Sequence, residues 1–146
     1  MVALEARHLD HAELVFRVTA AQWRRTEPDV KEWAAAFVAM LVTVNDSELH
    51  RVLYNTAPRS AAIADQAARV VNELADEVAF HLRRWGRPAG ARQRARIAIV
   101  AILAVVHEIV IQLPTGRART RAVTLVIEMA VGLPTFRQLD ELQATT

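Results

Sequence analysis

The chain has 146 residues, of which 53% are hydrophobic and 5% aromatic, and its formal net charge is +2. This length predicts one domain with a sizeable core, and the absence of cysteine excludes a disulfide framework and a thiolate zinc site. Basic residues only slightly outnumber acidic ones, so the charge by itself does not indicate a nucleic-acid surface. The start of the chain lacks a signal-peptide pattern, which predicts a cytoplasmic location.

The first two helices are predicted from apolar residues at helical spacing. Residues 1–25 carry one apolar stripe and end in two arginines, which suit a helix C-terminus. A break follows, with Thr26 or Asp29 as the N-cap of the next helix. That second helix is predicted to run to about Val44.

A short helix and a long one come next. The short helix is predicted from Glu48 to about Thr56, because Pro58 forces a stop near there. Ser60 then caps a long helix that runs to Trp85. The apolar stripe of this helix consists of Ile63, Ala67, Val70, Leu74, Val78, His81 and Trp85.

The most informative segment is the predicted helix of residues 91–113, which follows a glycine- and proline-containing turn. From Ile97 to Val106 it has no polar residue, so it must be covered on every side. The run is too long for a typical strand, and we expect it to be too short and polar-ended for a membrane span. The rest of the chain offers few segments to cover it, which predicts a homodimer with this helix at or near the interface.

A final helix is predicted from about Arg117 to Leu133, with Pro134 as its stop and residues 135–146 as a loosely held tail. The chain is therefore predicted to be all-α, with about six helices in residues 1–134. The dimer contacts are expected from apolar side chains of the last two helices: Ile102, Val106, Val123, Ile127 and Ala130.

The segment from Asp46 to Ser60, with its Ala-Pro pair ahead of a capped long helix, resembles a pattern in one family. The opening Ala6–Asp10 and the pair His107-Glu108 before a proline-containing turn add to the likeness. Together with the order of helices, they resemble the C-terminal domain of tetracycline-repressor-like (TetR family) transcription regulators. The resemblance covers nearly the whole chain.

In that family the last two helices of each subunit form a four-helix dimer bundle, and the preceding helices surround a ligand pocket. The resemblance therefore implies an effector-binding and dimerisation domain that senses a small, largely apolar ligand. The family's DNA-reading helices have no counterpart in this sequence, so we expect no direct DNA binding by this chain alone. Two alternatives stay open: a partner that forms mixed dimers with an intact regulator, and a small helical-bundle enzyme.

Ligand contacts are expected from aromatic and polar side chains that could face a mostly apolar pocket. These residues are Trp33, Phe37, Met40, Tyr54, His81, His107 and Glu108. Each also has a structural interpretation, because the aromatic residues, the methionine and His81 suit a core, and the last turn of the apolar helix could emerge into solvent.

The sequence offers little for metal or catalytic chemistry. His8 and His11 share one helix face but have no evident third ligand beyond Glu5. The chain also lacks a glycine-rich phosphate loop and a nucleophile with an evident base. No metal, no cofactor and no enzymatic activity is therefore predicted.

Overall fold

The computed structural model describes residues 2–45, 61–113 and 115–133, and these ranges contain helices and turns but no strand. The all-α prediction is therefore confirmed for the described part of the chain. The five helices there are α1 (Val2–Thr26), α2 (Val30–Asn45), α3 (Ala61–Arg84), α4 (Ala91–Gln112) and α5 (Arg117–Gly132). The predicted short helix at Glu48–Thr56, the stop at Pro134 and the tail lie outside the described residues.

The start of α2 is fixed by a reciprocal pair of side-chain hydrogen bonds. Asp29 Oδ1 accepts a hydrogen bond from the Glu32 amide at 2.8 Å, and Glu32 Oε2 accepts one from the Asp29 amide at 3.3 Å. This capping box satisfies amides that the first helical turn leaves unpaired. Of the two predicted caps, Asp29 is the one that acts on α2, while Thr26 is the last residue of α1.

The turn between α3 and α4 depends on a glycine in the left-handed region. Gly86 has φ +74°, and its amide donates to the Arg83 carbonyl at 3.0 Å. The Arg87 amide donates to the Leu82 carbonyl at 2.8 Å. These bonds close the last turn of α3 in the manner of a Schellman motif and direct the chain into α4.

Helix α4 is the centre of the fold, because it packs against α2, α3 and α5. Helix α1 lies on α2 and α3, at one side of this arrangement. The buried side chains of α4 include Ala95, Ile99, Ile102, Val106 and Val110. The apolar run that dominates the sequence is therefore the core helix of the bundle.

The length and composition of α4 would suffice for it to cross a membrane. The expectation that the run is too short for a span was therefore wrong, because the helix extends well beyond its wholly apolar part. In the described part of the chain, α4 packs against α2, α3 and α5. The arrangement is compatible with a soluble protein, whose core helix can have the same length and composition.

Candidate functional site

Three of the predicted ligand residues meet in the core. Trp33, Phe37 and His81 are fully buried. The Trp33 and Phe37 rings stack with their centroids 4.7 Å apart, and the His81 ring lies 5.8 Å from Trp33. Trp23 and Trp85 extend this aromatic cluster on either side, at 5.7 Å from Trp33 and 5.5 Å from His81 respectively. These side chains pack against one another, as expected if they belong to the hydrophobic core.

Met40 belongs to the same buried core as Trp33 and Phe37, whereas His107 and Glu108 lie on another helix. Met40 is buried on α2. His107 is half-buried and Glu108 is exposed, both near the C-terminal end of α4. Tyr54 lies outside the described residues.

A polar network that the sequence analysis did not identify lies beside the aromatic cluster. His81 Nε2 donates to Glu77 Oε1 at 3.1 Å, and both side chains are buried. Glu77 Oε2 accepts hydrogen bonds from Arg24 at 2.8 Å from Nη2 and 3.2 Å from Nε. The spacing of Glu77 and His81 on one helix face was visible in the sequence, but the contribution of α1 was not.

The environment of Glu77 keeps its carboxylate ionised. Burial raises the pKa of Glu77, but hydrogen bonds from His81 and Arg24 and the positive charge of Arg24 outweigh this effect, so the pKa lies below its usual value. The hydrogen bond to Glu77 is the main reason why the pKa of Arg24 is raised. The raised pKa of Arg24 and the lowered pKa of Glu77 both favour the charged form of the residue. They describe a charge-assisted hydrogen-bonded pair in which Glu77 is the buried partner.

The tautomer of His81 follows from its second contact. Arg84 Nη2 lies 3.4 Å from His81 Nδ1 and also donates to the Pro28 carbonyl. Because a guanidinium can only donate, His81 Nδ1 is the acceptor and Nε2 carries the proton given to Glu77. Trp85 Nε1 donates to the same Pro28 carbonyl at 3.1 Å. The network therefore fastens the end of α3 to α1 and to the α1–α2 connection.

A groove of about 360 Å³ opens between α1 and α3 next to this network. Its apolar lining comes from α1, where Phe16 and Ala20 are buried and Ala21 is exposed. Its charged lining is divided by sign between the two helices. The α1 side has Arg17 and Arg24, and the α3 side has Glu73, Asp76 and Glu77.

A second surface feature is an exposed apolar face on α4 and α5. Ile97 and Leu125 keep 63% and 64% of their surface exposed, and Val100 and Met129 are also exposed. We call these four side chains the α4–α5 face. Val100 and Met129 are equally far in sequence from the turn that joins the two helices, so they lie at a similar height in the helical hairpin.

Of the five residues predicted at a dimer interface, three are buried within the single chain and two are half-buried. Ile102, Val106 and Ala130 are buried within the single chain, and Val123 and Ile127 are half-buried. The three buried residues are therefore core residues of one chain, whereas Val123 and Ile127 keep part of their surface exposed. A helix that is apolar all round gives no pattern from which its inward side could be assigned.

Within the described ranges, no group of three His, Cys, Asp or Glu side chains is arranged to hold a metal ion. Comparison with models of known protein families, with curated proteins and with solved structures finds no match to this chain.

Proposed function

We propose that the chain is the effector-binding and dimerisation domain of a TetR-like transcription regulator, acting as a cytoplasmic homodimer. With the predicted short helix included, the bundle has about six helices. The single observation that carries the proposal is the α4–α5 face. It lies on the two helices to which the family resemblance assigns the dimer contacts.

Burial of this face would stabilise a dimer considerably. Full burial of a Val, Leu, Ile or Met side chain is worth about 1.5–3 kcal/mol relative to leaving it in water. The four side chains are 42–64% exposed in the single chain, so each contributes about half of this energy. The contribution counts twice in a two-fold dimer, because both copies use the same surface. This gain is comparable with the entropic cost of association, which is about 4–15 kcal/mol.

The charges that border the face favour a second copy of this chain as the occupant. On α4, Arg96 precedes the exposed apolar positions and Glu108 follows them, and both are exposed. On α5, Arg121 and Glu128 are exposed on either side of Leu125. When each helix pairs with its own copy in antiparallel fashion, the basic end of one copy meets the acidic end of the other. The surface is therefore complementary to itself.

Sedimentation of the full chain tests this proposal. We expect a dimer at micromolar concentration for the wild type and a folded monomer for Leu125→Glu, because the new carboxylate would enter the interface unpaired. Leu14→Glu is the matched control, since Leu14 is as exposed as Leu125 but lies on α1. A well-folded monomeric wild type, or dissociation by both variants alike, would refute the proposal.

The second candidate is a protein that forms mixed dimers with an intact regulator through the same face. It predicts weak self-association of the chain and tight association with the longer partner. Dilution of the wild type into the nanomolar range distinguishes the two, because a committed homodimer with this apolar face remains associated there.

A further inference from the structure

The groove between α1 and α3 has a basic wall and an acidic wall. Arg17 and Arg24 line it from α1, and Glu73 and Asp76 line it from α3. Arg17 Nη2 and Glu73 Oε1 are 3.6 Å apart across it, which is beyond hydrogen-bonding distance. Their side chains are 65% and 38% exposed, so this ion pair contributes little to stability and opens at little cost. Arg17 Nη2 also donates to Glu13 Oε1 at 3.0 Å within α1, and this pair between neighbouring turns at the surface is likewise weak.

Arg24 differs from Arg17 because the carboxylate that holds its guanidinium is buried. Nε and Nη2 donate to the buried Glu77, and the guanidinium lies over the Phe80 ring, 4.2 Å from its centroid. Nη1 is not used by Glu77, and Arg24 is one of the residues that line the groove. A cation fixed in this way loses little conformational entropy when it binds a ligand.

The opposite signs of the two walls select the charge type of a ligand. A simple anion would gain from the arginines but lie close to the Glu73 and Asp76 carboxylates, and a simple cation would meet the reverse problem. The exposed ion pair between Asp76 Oδ1 and Arg92 Nε, at 3.1 Å, reduces the negative charge that Asp76 adds to its wall. A molecule with one charge of each sign, held close together, satisfies both walls at once. The volume of about 360 Å³ is near the lower end of the range of about 300–1,000 Å³ for small-molecule sites.

We propose that this groove binds a zwitterionic small molecule with an apolar side chain, of the chemical class of the apolar α-amino acids. Arg17 and Arg24 bind the carboxylate, and Glu73 accepts hydrogen bonds from the ammonium group. The apolar side chain lies on Phe16 and Ala20. The inference rests on the proposed function as a ligand-binding domain, for which it names the class of effector and the site.

Titration of the full chain with L-phenylalanine tests the inference. Binding is measured by calorimetry or by the chemical-shift changes of the backbone amides in the groove. L-Phenylalaninamide lacks the carboxylate and N-acetyl-L-phenylalanine lacks the ammonium group, so both serve as probes. We expect saturable millimolar binding of phenylalanine and at least about tenfold weaker binding of each derivative, a difference of 1.4 kcal/mol. Equal binding of all three compounds, or no binding of phenylalanine, would overturn the inference.

Variants locate the site. Arg17→Ala and Glu73→Gln should each weaken phenylalanine binding at least about tenfold, whereas Arg25→Ala and Glu27→Gln, exposed and outside the groove, should leave it unchanged. Ala21→Phe keeps every charge and fills the groove, and it should abolish binding. Unchanged binding in these three groove variants would contradict the assignment.

The sedimentation experiment separates this inference from the proposed function. A dimer that does not bind phenylalanine would refute the groove assignment and leave the dimerisation domain standing. A monomer that binds phenylalanine in the predicted order of derivatives would support the groove and refute the proposed function.

Discussion

Arg24 and Glu77 are 53 positions apart in the sequence, and they form a charge-assisted hydrogen bond of 2.8 Å that joins α1 to α3. Glu77 is buried and also accepts a hydrogen bond from the fully buried His81. A carboxylate in this position is costly unless it keeps its partners. Loss of the bond between Arg24 and Glu77 should therefore weaken the packing of α1 on α3.

Arg24→Ala should lower the free energy of unfolding by about 1–3 kcal/mol, because it leaves the Glu77 carboxylate buried with His81 as its remaining partner. Arg25→Ala is the matched control, since Arg25 is exposed and adjacent in sequence, and it should change stability by less than about 0.5 kcal/mol. Urea denaturation of both variants measures the difference. Equal effects would mean that the pair does not hold α1 in place.

The same pair predicts a dependence of stability on pH. Because the pKa of Glu77 is lowered in the folded state, its contribution is fully present above the ordinary carboxyl pKa of about 4.3 and is lost as pH falls through the lower folded-state value. We expect the wild type to lose more stability than Glu77→Gln as the pH falls below about 4.3. Urea midpoints measured across this range provide the test, and parallel curves would contradict the lowered pKa.

The residue after α1 is a site at which stability can be gained. Glu27 has φ +47°, in the left-handed region that favours glycine, and its amide donates to the Trp23 carbonyl at 2.9 Å. Glu27→Gly should raise the free energy of unfolding by up to about 1 kcal/mol, because it removes the strain of a side chain at this position. Glu27→Ala keeps a Cβ and should give no such gain. Thermal denaturation compares the two, and equal melting temperatures would show that the strain is negligible.

The sequence was sufficient to predict the helices because their signals are local. Asp29 is a recognisable cap, the glycines between α3 and α4 mark a turn, and the described helix bounds agree with the predicted ones within one or two residues. The partner of Glu77 could not be predicted, since Arg24 approaches it only after α1 and α3 have packed together. The groove could not be predicted for the same reason, because its two walls come from helices that are distant in sequence.

The sequence periodicity also could not predict which side of α4 faces the core. Substitutions on the buried and exposed sides of this helix should therefore separate effects on folding from effects on association. Ile102 is buried inside the chain, whereas Val100 is exposed on the α4–α5 face. Ile102→Ala should cost about 2–5 kcal/mol through the cavity that it leaves in the core. That loss should appear at every protein concentration, because the contacts lie within one subunit.

Val100→Ala should behave differently from Ile102→Ala. Its effect should arise mainly from association, because the side chain becomes buried only when a second copy covers the face. The melting temperature of the wild type should rise with protein concentration, and the Val100→Ala variant should need a higher concentration to reach the same value. Melting curves recorded over a hundredfold range of concentration provide the measurement. A melting temperature that does not depend on concentration in either protein would mean that the exposed residues of α4 remain in contact with water.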